Sequence, residues 1–248
     1  MKGRIARLAS VVLVMLLFAL GALVAWALII PPPEAEALAA LRSDAVVRVD
    51  SGEWLVFAPV GATPAAGFIF YPGGRVDARA YAPAARAIAA AGYRVVIVPM
   101  PLNLAVLAPD RAEAVMAAFP DVSVWAVGGH SLGGAMAARF AANHPEAVRG
   151  LALWAAYPAA SDDLSSLALR VVVVYGTRDG LANAQDVTAA AERLPADTRW
   201  VAVEGGNHAQ FGLYGPQSGD NPATLSAEAQ QAAVVAGTVE MLAAIAAR

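Results

Sequence analysis

Ser131, Asp179 and His208 are the residues whose types and order along the chain could turn a hydroxyl into a nucleophile. Ser131 lies in Gly129-His130-Ser131-Leu132-Gly133-Gly134, after an apolar run over residues 122–127 and before an alanine-rich stretch over 135–143. A serine with a glycine two positions away on each side, between a strand and a helix, has the form of a nucleophile elbow. At such a turn a Cβ on Gly129 or Gly133 would meet neighbouring backbone, and the serine takes a strained conformation that lifts its hydroxyl clear of the sheet. The following helix presents its positive end to any oxyanion formed there. The alternative for the same residues is a glycine-rich connection with a solvated serine.

A hydroxyl nucleophile needs a base, and the chain has three histidines. His130 adjoins the serine, so its side chain is expected to point elsewhere. His144 comes 13 residues after Ser131, which places it about 18–20 Å away at the far end of a helix. His208, in Gly205-Gly206-Asn207-His208-Ala209-Gln210-Phe211, follows the last strand on a glycine-loosened loop. In a parallel sheet the loops leaving the carboxyl ends of the strands gather on one edge, so Ser131 and His208 are predicted to share that edge. The orienting acid should follow a strand between the two; Asp179 in Gly176-Thr177-Arg178-Asp179-Gly180 fits, with Asp162 and Asp163 as the alternative. Two backbone donors are needed for the developing charge. The Leu132 amide supplies one, and the loop Tyr71-Pro72-Gly73-Gly74-Arg75 supplies the other, with Gly74 the chosen donor. In this scheme His208 takes the Ser131 proton, Asp179 holds the imidazole tautomer, and water activated by the same His208 releases the acyl group.

The elements that must position these residues alternate. Residues 46–49 and 54–57 read as a hairpin, 67–71 as a wholly apolar strand, and 93–98, 122–127, 151–155, 171–175 and 200–203 as further strands. Helices are expected over 80–91 with Gly92 as C-cap, 109–119, 135–143, 184–194, and 226–247 with Ser226 as N-cap. Apolar strands alternating with helices imply an α/β fold with a mostly parallel sheet covered on both faces. The chain contains no cysteine, which excludes a disulfide framework, a thiolate metal site and a cysteine nucleophile. No cofactor is implied. The net charge is −3, and without Lys2, Arg4 and Arg7 the remainder carries −6. A mildly acidic domain without a basic run is a poor partner for nucleic acid or anionic lipid headgroups.

Residues 8–30 carry no charge and would form a helix of about 34 Å, enough to cross a bilayer core with some tilt. Three basic residues precede them and Pro31-Pro32-Pro33 ends them. The apolar run exceeds the usual h-region of a signal peptide, which favours an uncleaved signal anchor. Ala25-Trp26-Ala27 also fits a cleavage site, the alternative reading. Either way the domain is expected on the extracytoplasmic side, anchored or secreted. The division is residues 1–33, anchor and proline spacer, and residues 34–248, catalytic domain.

Taken together, Tyr71-Pro72-Gly73-Gly74, Gly128 to Gly134, Tyr175 to Gly180 and Gly205 to Gly212, in the order Ser-Asp-His, resemble the α/β-hydrolase superfamily. The closer likeness is to a short bacterial group, fold-5 or dienelactone-hydrolase-like, over residue 46 to the C-terminus. Dienelactone hydrolases proper use cysteine, so their substrate is not implied. Tyr71-Pro72 stands where many relatives place His-Gly. The connection over 156–170, about 15 residues, cannot hold a multi-helix cap. The site is therefore expected to be open, covered only by residues 99–108 and 211–223, with Phe211, Tyr214 and Leu104 as substrate contacts or, alternatively, as anchors of these loops into the core. The expectation is a serine hydrolase acting on a small or exposed carboxylic ester. The alternatives are an acyltransferase or amidase with the same triad, or an inactive membrane-anchored binding module.

Overall fold

The computed structural model describes the backbone of residues 2–247 and the side chains of residues 10–247, so the side chains of Lys2, Arg4 and Arg7 lie outside the described residues. Eight strands form one sheet in the order β1 (Val47–Ser51), β2 (Leu55–Pro59), β4 (Arg94–Ile97), β3 (Gly67–Tyr71), β5 (Trp125–His130), β6 (Gly150–Trp154), β7 (Arg170–Gly176) and β8 (Arg199–Val203). β2 runs antiparallel to both neighbours, and every pairing from β4 to β8 is parallel. All residues of β3, β5 and β6 are buried, with no inside–outside alternation, so both faces of the central sheet are covered.

The helices are α1 (Lys2–Leu28), α2 (Ala35–Ala39), α3 (Ala82–Ala90), α4 (Arg111–Ala118), α5 (Leu132–Asn143), α6 (Ala184–Ala189) and α7 (Ala227–Ala246). α5 packs on β3, β5 and β6; α7 packs on α3 and on β6 to β8. Both α1, over Ser10–Leu28, and α7 are long and apolar enough to cross a membrane. They differ in burial. The span in α1 has a mean hydropathy of 2.8 and is 6% buried, whereas α7 has 1.3 and is 44% buried. α7 is thus a helix of the domain core, and its apolar composition follows from that packing.

The chain leaves β3 for β4 on one side, then returns past β3 to β5 on the other. This reversal opens a crevice at the carboxyl ends of β3 and β5, where open α/β sheets bind ligands. Tyr71 pairs with Gly129 across that switch, so the loops that follow them emerge side by side. On the far side Gly176 of β7 pairs with Val203 of β8, and their following loops are likewise neighbours.

Several boundaries differ from the sequence reading. β5 starts at Trp125 rather than 122. The predicted helix over 80–91 is a 3-10 turn, Ala78–Tyr81, followed by α3, with Pro83 in its first turn where a missing N–H costs nothing. That over 184–194 tightens into a 3-10 turn at Ala191–Arg193; Pro195 disfavours the α conformation at Leu194. Gly92 closes α3 at φ +102°, and Ser226 Oγ accepts from the Ala229 N–H at 3.2 Å to cap α7.

Candidate active site

β5 and α5 meet at Ser131, whose backbone takes φ 51° and ψ −123°. A non-glycine residue there is strained, and the surroundings hold it. Its N–H donates to the Trp154 carbonyl at 3.0 Å, and its carbonyl accepts from the Ala135 N–H at 3.0 Å. A Cβ on Gly129 would lie 2.5 Å from both the Gly133 carbonyl carbon and the Tyr71 oxygen, and one on Gly133 would overlap the Tyr71 and Pro72 oxygens. The two glycines therefore let α5 sit directly on the end of β3. Ser131 is half-buried. Among the described residues its hydroxyl has no hydrogen-bond partner.

Asp179 and His208 leave the neighbouring ends of β7 and β8 and meet in the interior, 4% and 1% exposed. His208 Nδ1 and Asp179 Oδ2 are 2.8 Å apart. The other carboxylate oxygen accepts the N–H groups of Leu181 at 2.8 Å and Ala182 at 2.7 Å. An aspartate held this way draws the imidazole proton to Nδ1 and leaves Nε2 as the basic nitrogen. The alternative acids are occupied elsewhere. Asp162 faces Arg139 at 3.3 Å and Ser161, and exposed Asp163 closes a turn on the Ser165 N–H. His144 stands at the far end of α5, between Asp110 and Glu113.

The two glycines of the loop after β3 differ in hydrogen bonding. The Gly73 N–H donates to Tyr81 Oη at 3.0 Å. The Gly74 N–H has no partner among the described residues, nor has that of Leu132, the first residue of α5. Gly74 also faces Leu132: a Cβ there would lie 3.1 Å from Leu132 Cδ2.

His130, expected to point elsewhere than the serine, is turned into the interior. It is fully buried, and its ring lies 4.5 Å, centroid to centroid, from that of His208. Its Nδ1 is 2.8 Å from Tyr81 Oη. Burial pushes the Tyr81 hydroxyl well above its ordinary pKa, so it keeps its proton. Burial, and then the nearby His208, hold His130 well below 6.5, with a backbone contact to His208 acting in the other direction. The Tyr81 hydroxyl thus joins the Gly73 N–H to Nδ1 of a neutral His130. The other ring nitrogen of His130, Nε2, is buried with no hydrogen-bond partner among the described residues.

A profile described as the alpha/beta hydrolase family matches residues 67–232, about two thirds of the chain and all of the loops above. The chain belongs to the α/β-hydrolase family. Among solved structures, the esterase domain from a Rhodothermus marinus protein superposes with a TM-score of 0.55 at 14% identity, covering 79% of this chain and 98% of that one. At that identity the likeness is one of fold. No curated protein matches.

Beside the elbow this α/β hydrolase has a cleft of about 480 Å³, within the size range of ligand sites. Its walls include Gly74, Leu132, Leu104 and Tyr214, so four of the predicted site residues border one space. The Tyr214 hydroxyl donates to Gln217 Oε1 at 2.8 Å. Phe211 does not line it. It is completely buried and stacks on His130 at 5.5 Å and 14° between planes. The expectation of a substrate contact is corrected: at the end of the 3-10 turn Ala209–Phe211, which directly follows His208, its ring is directed inward as a support.

Two further residues escaped the sequence reading. Gln230, fully buried in α7, accepts the Asn207 N–H at 3.1 Å and donates to the Asn207 carbonyl at 2.7 Å. Asp220 accepts from Gly180 N–H at 3.0 Å with one oxygen and from Ala209 N–H at 2.9 Å with the other. It thereby ties the Asp179 loop to the His208 loop. The crowded glycines at 205–206, just before Asn207, were the available signal that something closes on this loop.

Proposed function

We propose that this α/β hydrolase is a serine hydrolase that cleaves carboxylic esters through an acyl-enzyme, with Ser131 as nucleophile, His208 as base and Asp179 as its orienting acid. The observation that carries this reading is the buried His208–Asp179 pair at 2.8 Å, on the same sheet edge as a strained serine at the head of α5. His208 Nε2 accepts the Ser131 proton as Oγ attacks the ester carbonyl. The tetrahedral oxyanion is held by the Leu132 and Gly74 N–H groups, and collapse expels the alcohol, which leaves with the proton from His208. Water, deprotonated by His208, then attacks the acyl-enzyme and releases the acid. The hydroxyl–imidazole bond forms as substrate is seated, as is common where the free enzyme lacks it. An oxyanion hole of this kind contributes on the order of 3 kcal/mol per donor to transition-state binding.

A panel of 4-nitrophenyl esters tests this. Wild-type protein is expected to release acid and alcohol in equal amounts, and Ser131→Ala to reduce turnover to background. A wild-type protein that binds the esters without turnover would replace the enzyme with a binding module. Transfer of the acyl group to added alcohol or amine in preference to water would make it an acyltransferase.

A further inference from the structure

The end of α1 is built into the domain beside the cleft. Ala27 has no exposed surface. The Arg75 guanidinium, one residue after Gly74, donates from Nε to the Trp26 carbonyl at 2.9 Å and from Nη2 to the Ile29 carbonyl at 2.9 Å. The Trp26 carbonyl lies in the last turn of α1, which has no further helical donors, and Ile29 follows the helix directly; a cation is the favourable group there. Arg75 also lies 4.3 Å over the Trp26 ring. Asn103 Nδ2 donates to the Ala27 carbonyl at 3.1 Å, and the Asn103 carbonyl accepts from the Arg75 N–H at 2.8 Å. The apolar helix and the loop bearing Gly74 are thus one hydrogen-bonded unit. Trp26 and Pro31 form a wall of the cleft that Gly74 and Leu132 border from the other side.

With α1 spanning a bilayer, that wall would stand at the bilayer surface. The 19-residue span Ser10–Leu28 is about 28 Å long, close to the thickness of a hydrocarbon core. Trp26 is two residues from its end, at the level where tryptophan rings settle between chains and headgroups. The surroundings are apolar too. Ile29 is 73% exposed, and Val106 and Leu107, in the loop containing Asn103, are 47% and 54% exposed.

We infer that α1 is retained as a wall of the active site, that the cleft opens at the membrane interface, and that its substrate is an amphiphilic carboxylic ester residing in the bilayer. The acyl chain stays beside Trp26 while the carbonyl reaches Ser131 between Gly74 and Leu132. This rests on the hydrolase reading above and narrows its substrate class. It also gives the short lid a reason: the membrane covers the opening that a cap domain would otherwise cover.

The test uses the full chain in phosphatidylcholine nanodiscs, with two substrates of one leaving group: water-soluble 4-methylumbelliferyl butyrate and bilayer-partitioned 4-methylumbelliferyl oleate. The oleate is expected to be the better substrate by kcat/KM per bilayer concentration. Trp26→Ala is expected to lower that preference by about ten-fold, the scale of one buried aromatic side chain. The double substitution Val106→Asp with Leu107→Asp, outside the cleft, should lower the oleate rate with butyrate turnover kept. Butyrate turnover without an oleate preference, or a preference that Trp26→Ala leaves intact, overturns the inference while the hydrolase reading stands. A mature chain recovered beginning at Leu28 overturns it in the same way. Failure to turn over either ester removes both.

Discussion

The two sides of the candidate site are built by different means. Asp179 and His208 sit in a dry interior, fixed by side-chain hydrogen bonds that run on to Asp220, Asn207 and Gln230. Ser131, Gly74 and Leu132 are fixed by backbone: a strained elbow, glycines under a helix end, and amides left without partners. In the proposed mechanism the first side directs a proton, which calls for one tautomer in one orientation, and the second receives the reacting carbonyl, which calls for donors left unsatisfied until substrate arrives. The two meet at His130, which touches His208 with its ring and reaches the oxyanion loop through Tyr81.

Substitutions on each side should therefore fail differently. On the base side, Asp179→Asn keeps the geometry and reverses the tautomer; kcat for a soluble ester is expected to fall on the order of 10⁴-fold with little change in KM. Retention of more than a tenth of the activity would remove Asp179 from its role. On the nucleophile side, Tyr81→Phe leaves the Gly73 N–H and His130 Nδ1 unpaired. That costs about 1–3 kcal/mol of stability and lets the Gly74 donor drift, so kcat should fall by up to about 100-fold, the value of one donor. Denaturant unfolding and steady-state kinetics separate the two effects; unchanged kcat in a destabilised variant would confine Tyr81 to a structural role.

Gln230→Leu probes whether α7 matters to catalysis. Losing both bonds to Asn207 should cost roughly 1–3 kcal/mol and loosen His208, with a several-fold loss of kcat. Equal kcat at full folding would show that the loop is held without Gln230. The smallest expected effect is one of pH. His130 stays neutral in the folded protein well below 6.5, so the unfolded chain binds a proton that the folded one refuses. Stability is then highest above 6.5 and falls as the pH drops through it, by at most about 1.4 kcal/mol per pH unit. His130→Gln should flatten the fall in Tm between pH 7 and about pH 5 relative to wild type; parallel curves would mean that His130 is not held neutral.

The fold and the backbone side of the site were legible in the sequence because each rests on local rules. Gly129 and Gly133 mark the elbow within five residues of sequence, although the backbone they make room for includes Tyr71 and Pro72, and the uninterrupted apolar run of β7 reports a strand covered on both faces. Asp179 and His208 were reached by position and elimination, since loops at one sheet edge must converge. The supporting residues were hidden because their partners are remote. Tyr81 and Gln230 carry no local signal of a role, and Phe211 was expected as a substrate contact. His130 was expected to turn away from the site, which it does only by turning towards His208. The Arg75–Trp26 contact joins positions 49 apart, beyond any periodicity.

Ser131 as a live nucleophile is the central requirement of the proposed hydrolase. Intact-protein mass spectrometry after incubation with a fluorophosphonate tests this directly. Wild-type protein is expected to gain one phosphonyl group, mapped to the peptide containing Ser131, and Ser131→Ala none. Folded wild-type protein that stays unmodified, or equal labelling of the variant, would contradict it.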